Sequence, residues 1–279
     1  MKILVTGASG RVGHYAILDL ERAHELRLFS RRHPREGDHR FNTPHPHVAA
    51  DLLDRAAIRK AVEGMDAVAH IGANPWFSEE TFQLNTVSTY YLLEACREFG
   101  VKRFVMAGSD WGLAKSDTRV VPPDYVPVDE AHPRRPCDHY GLSKIVNEVT
   151  CEMFGREYGI SCAVMRITGV WMPEQTGGYA AKSKPAPADG AQWWWSYVDV
   201  RDVARAFRLA IESPDLPGFG TYLLSAADTI LDMPTLDAVR ACWPGTPIVR
   251  DLPGHASVLS GDAAFRGFGW RPEHSWRKG

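Results

Sequence analysis

The sequence has few cysteines, and none of them forms a CxxC pair. Five occur in 279 residues, scattered at positions 96, 137, 151, 162 and 242. An odd and scattered set is typical of small core side chains in a protein from a reducing compartment. The eleven histidines show no HExxH and no other ligand spacing, so we expect no metal site.

The sequence also lacks features that direct a chain to membranes or nucleic acids. No apolar run is long enough to cross a bilayer, and the first residues, MKILVTGASG, lead into a strand rather than a signal peptide. The net charge of −2 gives no attraction to nucleic acid or to an anionic membrane. We therefore expect a cytoplasmic protein whose partner is a small-molecule substrate.

Short apolar runs alternate with amphipathic stretches along most of the chain. Strands are predicted at residues 2–6, 26–30, 65–71, 103–109 and 162–168, and helices at 55–63, 81–99, 140–158 and 201–212. Strands that alternate with helices of this length predict parallel βαβ units with right-handed crossovers. The sequence therefore predicts an α/β fold, a Rossmann-type doubly wound parallel sheet with a small C-terminal substrate domain.

The regular pattern stops near Gly169. The segment PEQTGGYAAKSKPAPADG is dominated by Pro, Gly, Ala and Lys, and a long irregular segment in a compact domain is usually functional or mobile. We predict that residues 1–168, together with about 197–224, form the dinucleotide-binding domain. Residues from about 169 to 196 and from about 225 to 279 then form a small substrate-binding domain or lid.

A glycine-rich turn directly follows the first predicted strand. Gly7, Gly10 and Gly13 lie in TGASGRVG, together with Arg11 and Val12, where an amphipathic helix begins. Glycines let backbone N–H groups approach a pyrophosphate, and the positive end of the helix faces that anion. With a strand before it and a helix after it, the turn predicts a dinucleotide site.

The end of the second strand bears on which dinucleotide binds. The sequence reads Ser30-Arg31-Arg32, without the carboxylate that usually holds the ribose 2′-hydroxyl of NAD. An arginine there accommodates the 2′-phosphate of NADP, so we predict NADP, with NAD as the alternative. Asp51, followed by Leu52, is a candidate contact to the adenine amine, or else a helix cap.

Tyr140 and Lys144 are four residues apart at the start of a long predicted helix, which places both side chains on one face. Free tyrosine has a pKa of about 10 and is a poor base at neutral pH. A lysine ammonium nearby favours the phenolate. The pair is therefore a candidate general acid/base for a carbinol proton, although a YxxxK sequence alone is common.

Taken together, the motifs resemble those of the extended short-chain dehydrogenases/reductases, the NAD-dependent epimerase/dehydratase family. They occur in that family's order, as TGASGRVG, Asn85 in LNTVSTYYLLEA, Ser109 at the end of RFVMAGS, YGLSK, RITGVWMP, SYVDVRDVARAF and FGWRPEHSWR. The resemblance covers nearly the whole chain. In character the chain is most similar to members that act on free sugars, such as uronate dehydrogenases.

The resemblance implies a role for each matching residue. Tyr140 is the acid/base, Lys144 lowers its pKa and holds the nicotinamide ribose, and Ser109 hydrogen-bonds the substrate oxygen. The residues implied to line the cofactor are Gly72, Ala73, Asn85, Ile167, Gly169 and Val170. The resemblance also implies a homodimer through the helices at 81–99 and 140–158.

Three departures separate the chain from relatives that act on nucleotide sugars. Ser109 is followed by Asp110 and Trp111, so the Asp-Glu pair of the dehydratases lacks its base. Gly169 stands where an asparagine contacts the nucleotide sugar. Trp195 stands where an arginine pairs with the substrate phosphate.

We therefore predict an oxidoreductase that transfers hydride between nicotinamide and an alcohol or carbonyl carbon of a small sugar-like substrate or natural product. The candidate substrate contacts are Asn74, Trp76, Ser109, Asp110, Trp111, Arg166 and Trp195. Among these, Arg166 is a candidate for a substrate carboxylate, and the tryptophans for stacking on a sugar ring. The alternatives are a redox-neutral sugar or nucleotide-sugar epimerase that keeps its cofactor bound, and a dinucleotide sensor without catalysis.

Overall fold

The computed structural model describes residues 1–36, 41–74, 78–178 and 186–278. Its strands are β1 (Lys2–Thr6), β2 (Glu25–Ser30), β3 (His47–Ala49), β4 (Ala67–His70), β5 (Arg103–Ser109), β6 (Ser161–Ile167), β7 (Val170–Trp171), β8 (Val198–Asp199) and β9 (Phe219–Leu224). Its helices are α1 (Arg11–Leu20), α2 (Arg55–Val62), α3 (Glu79–Phe99), α4 (His139–Tyr158), α5 (Pro173–Gly178), α6 (Val200–Glu212), α7 (Thr235–Cys242) and α8 (Asp262–Phe268).

The large sheet is parallel throughout and has the strand order β3-β2-β1-β4-β5-β6-β9. The chain runs outward from β1 to β3 and then returns to β4 on the other side of β1. This reversal is the switch point at which doubly wound sheets open a crevice for a ligand at the carboxyl ends of their strands. The predicted Rossmann-type fold class is confirmed.

Helices cover both faces of this sheet, because its central strands are apolar on both sides. One apolar cluster joins the sheet to α1 and α6 through Ile17 and Phe207. The other joins it to α2, α3 and α4, for example through Leu92 and Phe154. Burial on both faces explains why the strands read as continuous apolar runs rather than as alternating patterns.

Two of the predicted helix ends show why the boundaries were readable from the sequence. Helices α3 and α4 end at Gly100 and Gly159, whose φ angles are +74° and +63°. Glycine adopts this left-handed conformation without the steric penalty of a side chain, and each Gly N–H bonds back to a carbonyl of the last turn. Among the described residues, no helix combines the length and apolar character required to span a bilayer.

A third apolar cluster joins residues 113–128 to the C-terminal part of the chain and includes Trp194, Trp195 and Trp243. The segment predicted to be irregular contains β7 and helix α5, and β7 pairs with β8, which lies just beyond it. Trp76, a predicted substrate contact, lies outside the described residues. The division into two domains stays a prediction.

Candidate active site

The glycine-rich turn joins β1 to α1 in a space that side chains would fill. Gly7 has a φ of +70°, and a Cβ there would lie 2.6 Å from the Gly72 nitrogen. A Cβ on Gly13 would lie 2.1 Å from the Gly7 oxygen. The N-cap of α1 is Gly10, which offers no side-chain cap to the first N–H groups of that helix. Such N–H groups and the helix dipole suit a pyrophosphate, so the cradle fits a dinucleotide.

Thr6 and His70, which no sequence motif marks, hold the ends of β1 and β4 together. Thr6 Oγ1 accepts a hydrogen bond from the Gly72 nitrogen at 3.1 Å and lies 2.8 Å from His70 Nδ1. The other His70 nitrogen, Nε2, lies 3.3 Å from Thr89 Oγ1 on α3. Burial and, second, the Lys144 ammonium lower the pKa of His70 to about 3. His70 is therefore neutral and ties β1, β4 and α3 together; a lone polar residue in an apolar strand was its only sequence signal.

Asn85 supports the loop after β4. Its Nδ2 donates to the Asn74 carbonyl and to Ser143 Oγ, both at 3.1 Å. Its Oδ1 accepts from the Asn74 nitrogen at 2.8 Å. Both donor hydrogens of the amide are thus used within the protein. Asn85 therefore positions the loop that carries Gly72, Ala73 and Asn74, and its direct contact with a cofactor stays a prediction.

The end of β2 carries the residues predicted to decide between NAD and NADP. Ser30 Oγ donates to the Arg32 carbonyl at 2.8 Å and lies 3.0 Å from His47 Nε2, so this hydroxyl serves the turn itself. The side chains of Arg31 and Arg32 are exposed. Burial and, second, His33 lower the pKa of His47. The two arginines are the cations that this strand end offers to a ligand.

Asp51 is not the cap of helix α2. Its Oδ1 accepts from the Leu53 nitrogen at 2.8 Å, within a turn. The cap is Asp54, whose Oδ1 accepts from the Ala57 nitrogen at 3.0 Å. The neighbouring Leu52 packs against Gly72: a Cβ added to Gly72 would lie 2.8 Å from Leu52 Cδ1. The adenine contact predicted for Asp51 stays a prediction.

Ser109, Tyr140 and Lys144 lie together at the carboxyl end of β5. Asp138 caps α4 by accepting from the Gly141 nitrogen at 2.7 Å, which places Tyr140 in the first turn. The Tyr140 side chain is hydrogen-bonded to Ser109. Lys144 Nζ lies 5.3 Å from the centre of the Tyr140 ring and donates to the Ala107 carbonyl at 2.9 Å. The three side chains predicted to be catalytic therefore form one cluster.

The electrostatics of the cluster differ from those that the resemblance implied. Burial raises the pKa of Tyr140 to about 12; the Ser109 hydrogen bond lowers it, and the charges of Asp110 and Asp138 raise it further. Burial also lowers the pKa of Lys144 to about 8. The implied lowering of the tyrosine pKa by Lys144 is not what this structure shows. At neutral pH Tyr140 is a phenol, ready to donate a proton, and Lys144 is an ammonium.

Arg166 pairs with a carboxylate of the protein itself. Its side chain is buried, and its Nε and Nη2 donate to the two oxygens of Glu148 at 2.8 and 2.9 Å. Its Nη1 donates to the Glu130 carbonyl at 3.0 Å. A fully desolvated bidentate pair of this kind belongs to the core. The burial and the Glu148 pair weigh against the substrate contact predicted for Arg166, which stays a prediction.

Trp195 lies in the apolar core. Trp194 and Trp195 are both 0% exposed, and Trp195 stacks on Trp243 with ring centres 4.3 Å apart. Their φ angles of +57° and +51° make a tight turn that directs both rings inward. Trp193, at 43% exposure, is the ring of this run that meets solvent. This core position weighs against the stacking contact predicted for Trp195, which stays a prediction.

The two residues after Ser109 also have partners in the protein. Asp110 is 2% exposed and forms an ion pair with Lys115, Nζ to Oδ2, at 2.5 Å. The indole nitrogen of Trp111 donates to the Asp138 carboxylate. Trp111 thus braces the capped start of α4, whereas Asp110 is buried beside the cluster. Direct substrate contact by Asp110 stays a prediction.

Comparison with known proteins places the chain in a family. Residues 3–224 match the NAD dependent epimerase/dehydratase family. The chain belongs to this family. A uronate dehydrogenase from Pseudomonas putida is 34% identical over 174 residues, which is 60% of each chain. A second, from Pseudomonas syringae pv. tomato, is 30% identical over 238 residues, covering 82% of this chain and 76% of that one.

Solved structures share the fold of this family member. A short-chain dehydrogenase/reductase superfamily protein from Agrobacterium tumefaciens with bound NAD superposes with a TM-score of 0.76 at 23% identity. The similarity covers 100% of this chain and 94% of that one. The resemblance to extended short-chain dehydrogenases/reductases is confirmed, and NAD is the dinucleotide of the family. Within the described residues, no three His, Cys, Asp or Glu side chains converge on a possible metal site.

Proposed function

We propose that this family member is an NAD(P)-dependent dehydrogenase of a small free sugar or sugar acid. The observation that carries the proposal is the cluster of Ser109, Tyr140 and Lys144 beside a glycine cradle that fits a dinucleotide. The names of the two similar proteins, both uronate dehydrogenases, support the substrate class. A cytoplasmic location and a homodimer stay predictions.

The dinucleotide and the side chains of the cluster would have separate roles in the reaction. The bound dinucleotide supplies the hydride acceptor or donor at its nicotinamide ring. Ser109 and Tyr140 share a hydrogen bond, so both can reach one substrate oxygen. In the reductive direction Tyr140 gives its phenol proton to that oxygen; in the oxidative direction its phenolate accepts the hydroxyl proton. The Lys144 ammonium lies 5.3 Å from the centre of the Tyr140 ring, and a positive charge at that position favours the phenolate.

The groups that would hold a nucleotide sugar are missing from the same region. Gly169 has no side chain to offer, and Trp195, at the position of a phosphate-binding arginine, is fully buried. Arg166, the nearby cation on β6, is neutralised by Glu148. A small substrate without a diphosphate therefore suits the site better than a nucleotide sugar.

The test is turnover with a panel of free sugars, uronic acids and cyclitols in the presence of NAD+ or NADP+. We expect reduced nicotinamide to accumulate with at least one of the free compounds and with no nucleotide sugar. Parallel NMR spectra of the substrates detect inversion of a stereocentre. Inversion without net reduction of the dinucleotide would identify an epimerase, and dinucleotide binding without either reaction would identify a sensor; both results contradict the proposal.

The finer proposal is a preference for NADP over NAD, carried by Arg31 and Arg32. Replacing both with alanine is expected to raise the KM for NADP+ by about ten- to a hundredfold, because charge-assisted hydrogen bonds to the 2′-phosphate contribute about 1.5–3 kcal/mol. The KM for NAD+, which lacks that phosphate, should not change. Initial rates against each dinucleotide measure this.

Arg22→Ala is the matched control for the two arginines. The Arg22 side chain is 75% exposed and its nearest carboxylate is Asp19, three residues earlier in the chain. It should leave both KM values unchanged. An unchanged KM for NADP+ in the double alanine variant contradicts the preference but leaves the dehydrogenase proposal intact.

A further inference from the structure

A buried lysine lies beside the catalytic cluster, outside every motif of the sequence. Lys115 is 2% exposed. It follows Ala114, whose φ of +100° is rare for a residue with a side chain. Strained backbone of this kind persists where the surrounding structure enforces it, often next to an active site. Here it turns the chain so that the lysine points into the protein.

The Lys115 ammonium has three acceptors for its three protons. Nζ donates to Asp110 Oδ2 at 2.5 Å, to Ser196 Oγ at 2.6 Å and to Thr168 Oγ1 at 3.1 Å. An ammonium donates to all three acceptors at once, and the adjacent Asp110 carboxylate favours this charged form. Burial lowers the pKa of Lys115, and the Asp110 carboxylate opposes that effect.

The hydroxyl groups of Ser196 and Thr168 each have a donor and an acceptor role beside this ammonium. Ser196 Oγ donates to the Trp193 carbonyl at 3.0 Å. Its oxygen therefore accepts from both Lys115 and Thr168 Oγ1, which is 2.6 Å away. Three separate segments meet here: the turn after β5, the residue after β6, and the segment before β8. Lys115 thus ties the turn that begins at Ser109 to the tryptophan-rich segment.

The ion pair also decides the charge next to Tyr140. Among the residues that the structure describes, the charged groups near the Tyr140 phenol are Asp110, Asp138 and Lys144. Asp138 is engaged as the cap of α4 and by Trp111. Asp110 has its countercharge on Lys115. Without that countercharge, a buried carboxylate would oppose formation of the phenolate.

We propose that Lys115 is a positioning residue for the reaction of Tyr140: it holds the turn carrying Ser109 and neutralises Asp110 beside the phenol. The proposal rests on the proposed function and extends it to a residue that never touches the substrate. Its signature is a pair of opposite effects, because removing the lysine adds negative charge near Tyr140, whereas removing the Asp110 charge adds positive charge.

The experiment compares Lys115→Met, Asp110→Asn and the double variant in the full chain with bound dinucleotide. We expect the pH midpoint of sugar oxidation to rise by about one pH unit in Lys115→Met and to fall by a similar amount in Asp110→Asn. At neutral pH, Lys115→Met should oxidise the sugar about tenfold more slowly. The double variant, neutral at both positions, should return to the wild-type midpoint. Lys102→Met is the control, because Lys102 is an exposed lysine immediately before β5.

A second readout needs no substrate. The carbon-13 resonance of the Tyr140 ring, assigned by its loss in Tyr140→Phe, reports conversion of phenol to phenolate. At the most alkaline pH at which all variants stay folded, phenolate should be most abundant in Asp110→Asn and least abundant in Lys115→Met. This order supports the proposal even if no sugar is turned over, in which case only the proposed function fails. Equal midpoints and equal phenolate fractions would overturn it, whatever the activity.

Ser196→Ala is the variant to use if Lys115→Met does not fold. It removes one of the three acceptors and leaves the Asp110 ion pair in place. Loss of this anchor should lower the rate of sugar oxidation without moving the pH midpoint, since the charges are unchanged. A shifted midpoint in Ser196→Ala contradicts the separation of anchoring from charge neutralisation.

Discussion

Replacement of Tyr140 by phenylalanine is expected to lower kcat for sugar oxidation by about 10²- to 10⁴-fold, the range that a positioned acid/base contributes. The variant removes the phenol oxygen that transfers the proton and keeps the ring that lies beside Lys144. The affinity for dinucleotide should change little, because the glycine cradle is untouched. Steady-state kinetics and a dinucleotide binding titration measure the two effects separately.

Tyr158→Phe is the matched control, since Tyr158 lies at the far end of the same helix and is 42% exposed. It should keep wild-type kcat. If Tyr140→Phe retained a rate within a few-fold of wild type, Tyr140 would not be the acid/base, and a role for Ser109 alone would have to be considered. If it lost dinucleotide binding as well, the change would be structural rather than chemical.

The direction of the reaction sharpens this prediction. With its pKa at about 12, Tyr140 holds its proton at neutral pH. Reduction of a carbonyl starts from that phenol, whereas oxidation requires its ionisation. The oxidation rate of the wild-type enzyme should therefore rise as the pH is raised from neutral into the alkaline range, while the reduction rate should be highest at lower pH.

The fold and the proximity of Ser109, Tyr140 and Lys144 were predictable because their signals are local. Glycines after a strand, glycines that end helices, and a tyrosine and lysine one helical turn apart each depend on neighbours within a few residues. The parallel sheet then brings the ends of β1, β4 and β5 to one edge. That topology places Ser109 beside Tyr140 without further information.

The sequence is least informative about polar and aromatic residues whose partners are distant in the chain. Arg166 pairs with Glu148, which lies 18 residues earlier on a different element. No local pattern indicates that Trp194 and Trp195 take positive φ angles. Lys115 carries no motif at all, and its partner Ser196 is 81 residues away. Tertiary packing decides which side chains pair at such separations, and the hydrophobic pattern of the sequence contains no information about it.

Arg166 provides the second large effect, and the expected loss is in stability rather than in substrate affinity. In Arg166→Met, the fully buried Glu148 carboxylate loses its ion pair with Arg166. Among the described residues, the ion pair that remains is with Arg134, whose Nε lies 3.1 Å away and whose side chain is 35% exposed. Removing one partner of a buried ion pair costs about 3–5 kcal/mol, because the remaining charge is desolvated without compensation. We expect the free energy of unfolding in urea to fall by that amount, with an unchanged m-value.

Two further variants separate the loss of the pair from the loss of packing. Arg156→Met breaks an exposed pair with Glu157 and should cost less than about 1 kcal/mol. Glu148→Gln combined with Arg166→Met removes both charges and should recover much of the loss, because the penalty arises from the unpaired carboxylate. A small change in stability together with a rise of about tenfold in the KM for a sugar acid would instead return Arg166 to the substrate site. The burial of its guanidinium against Glu148 is the physical reason to expect the opposite.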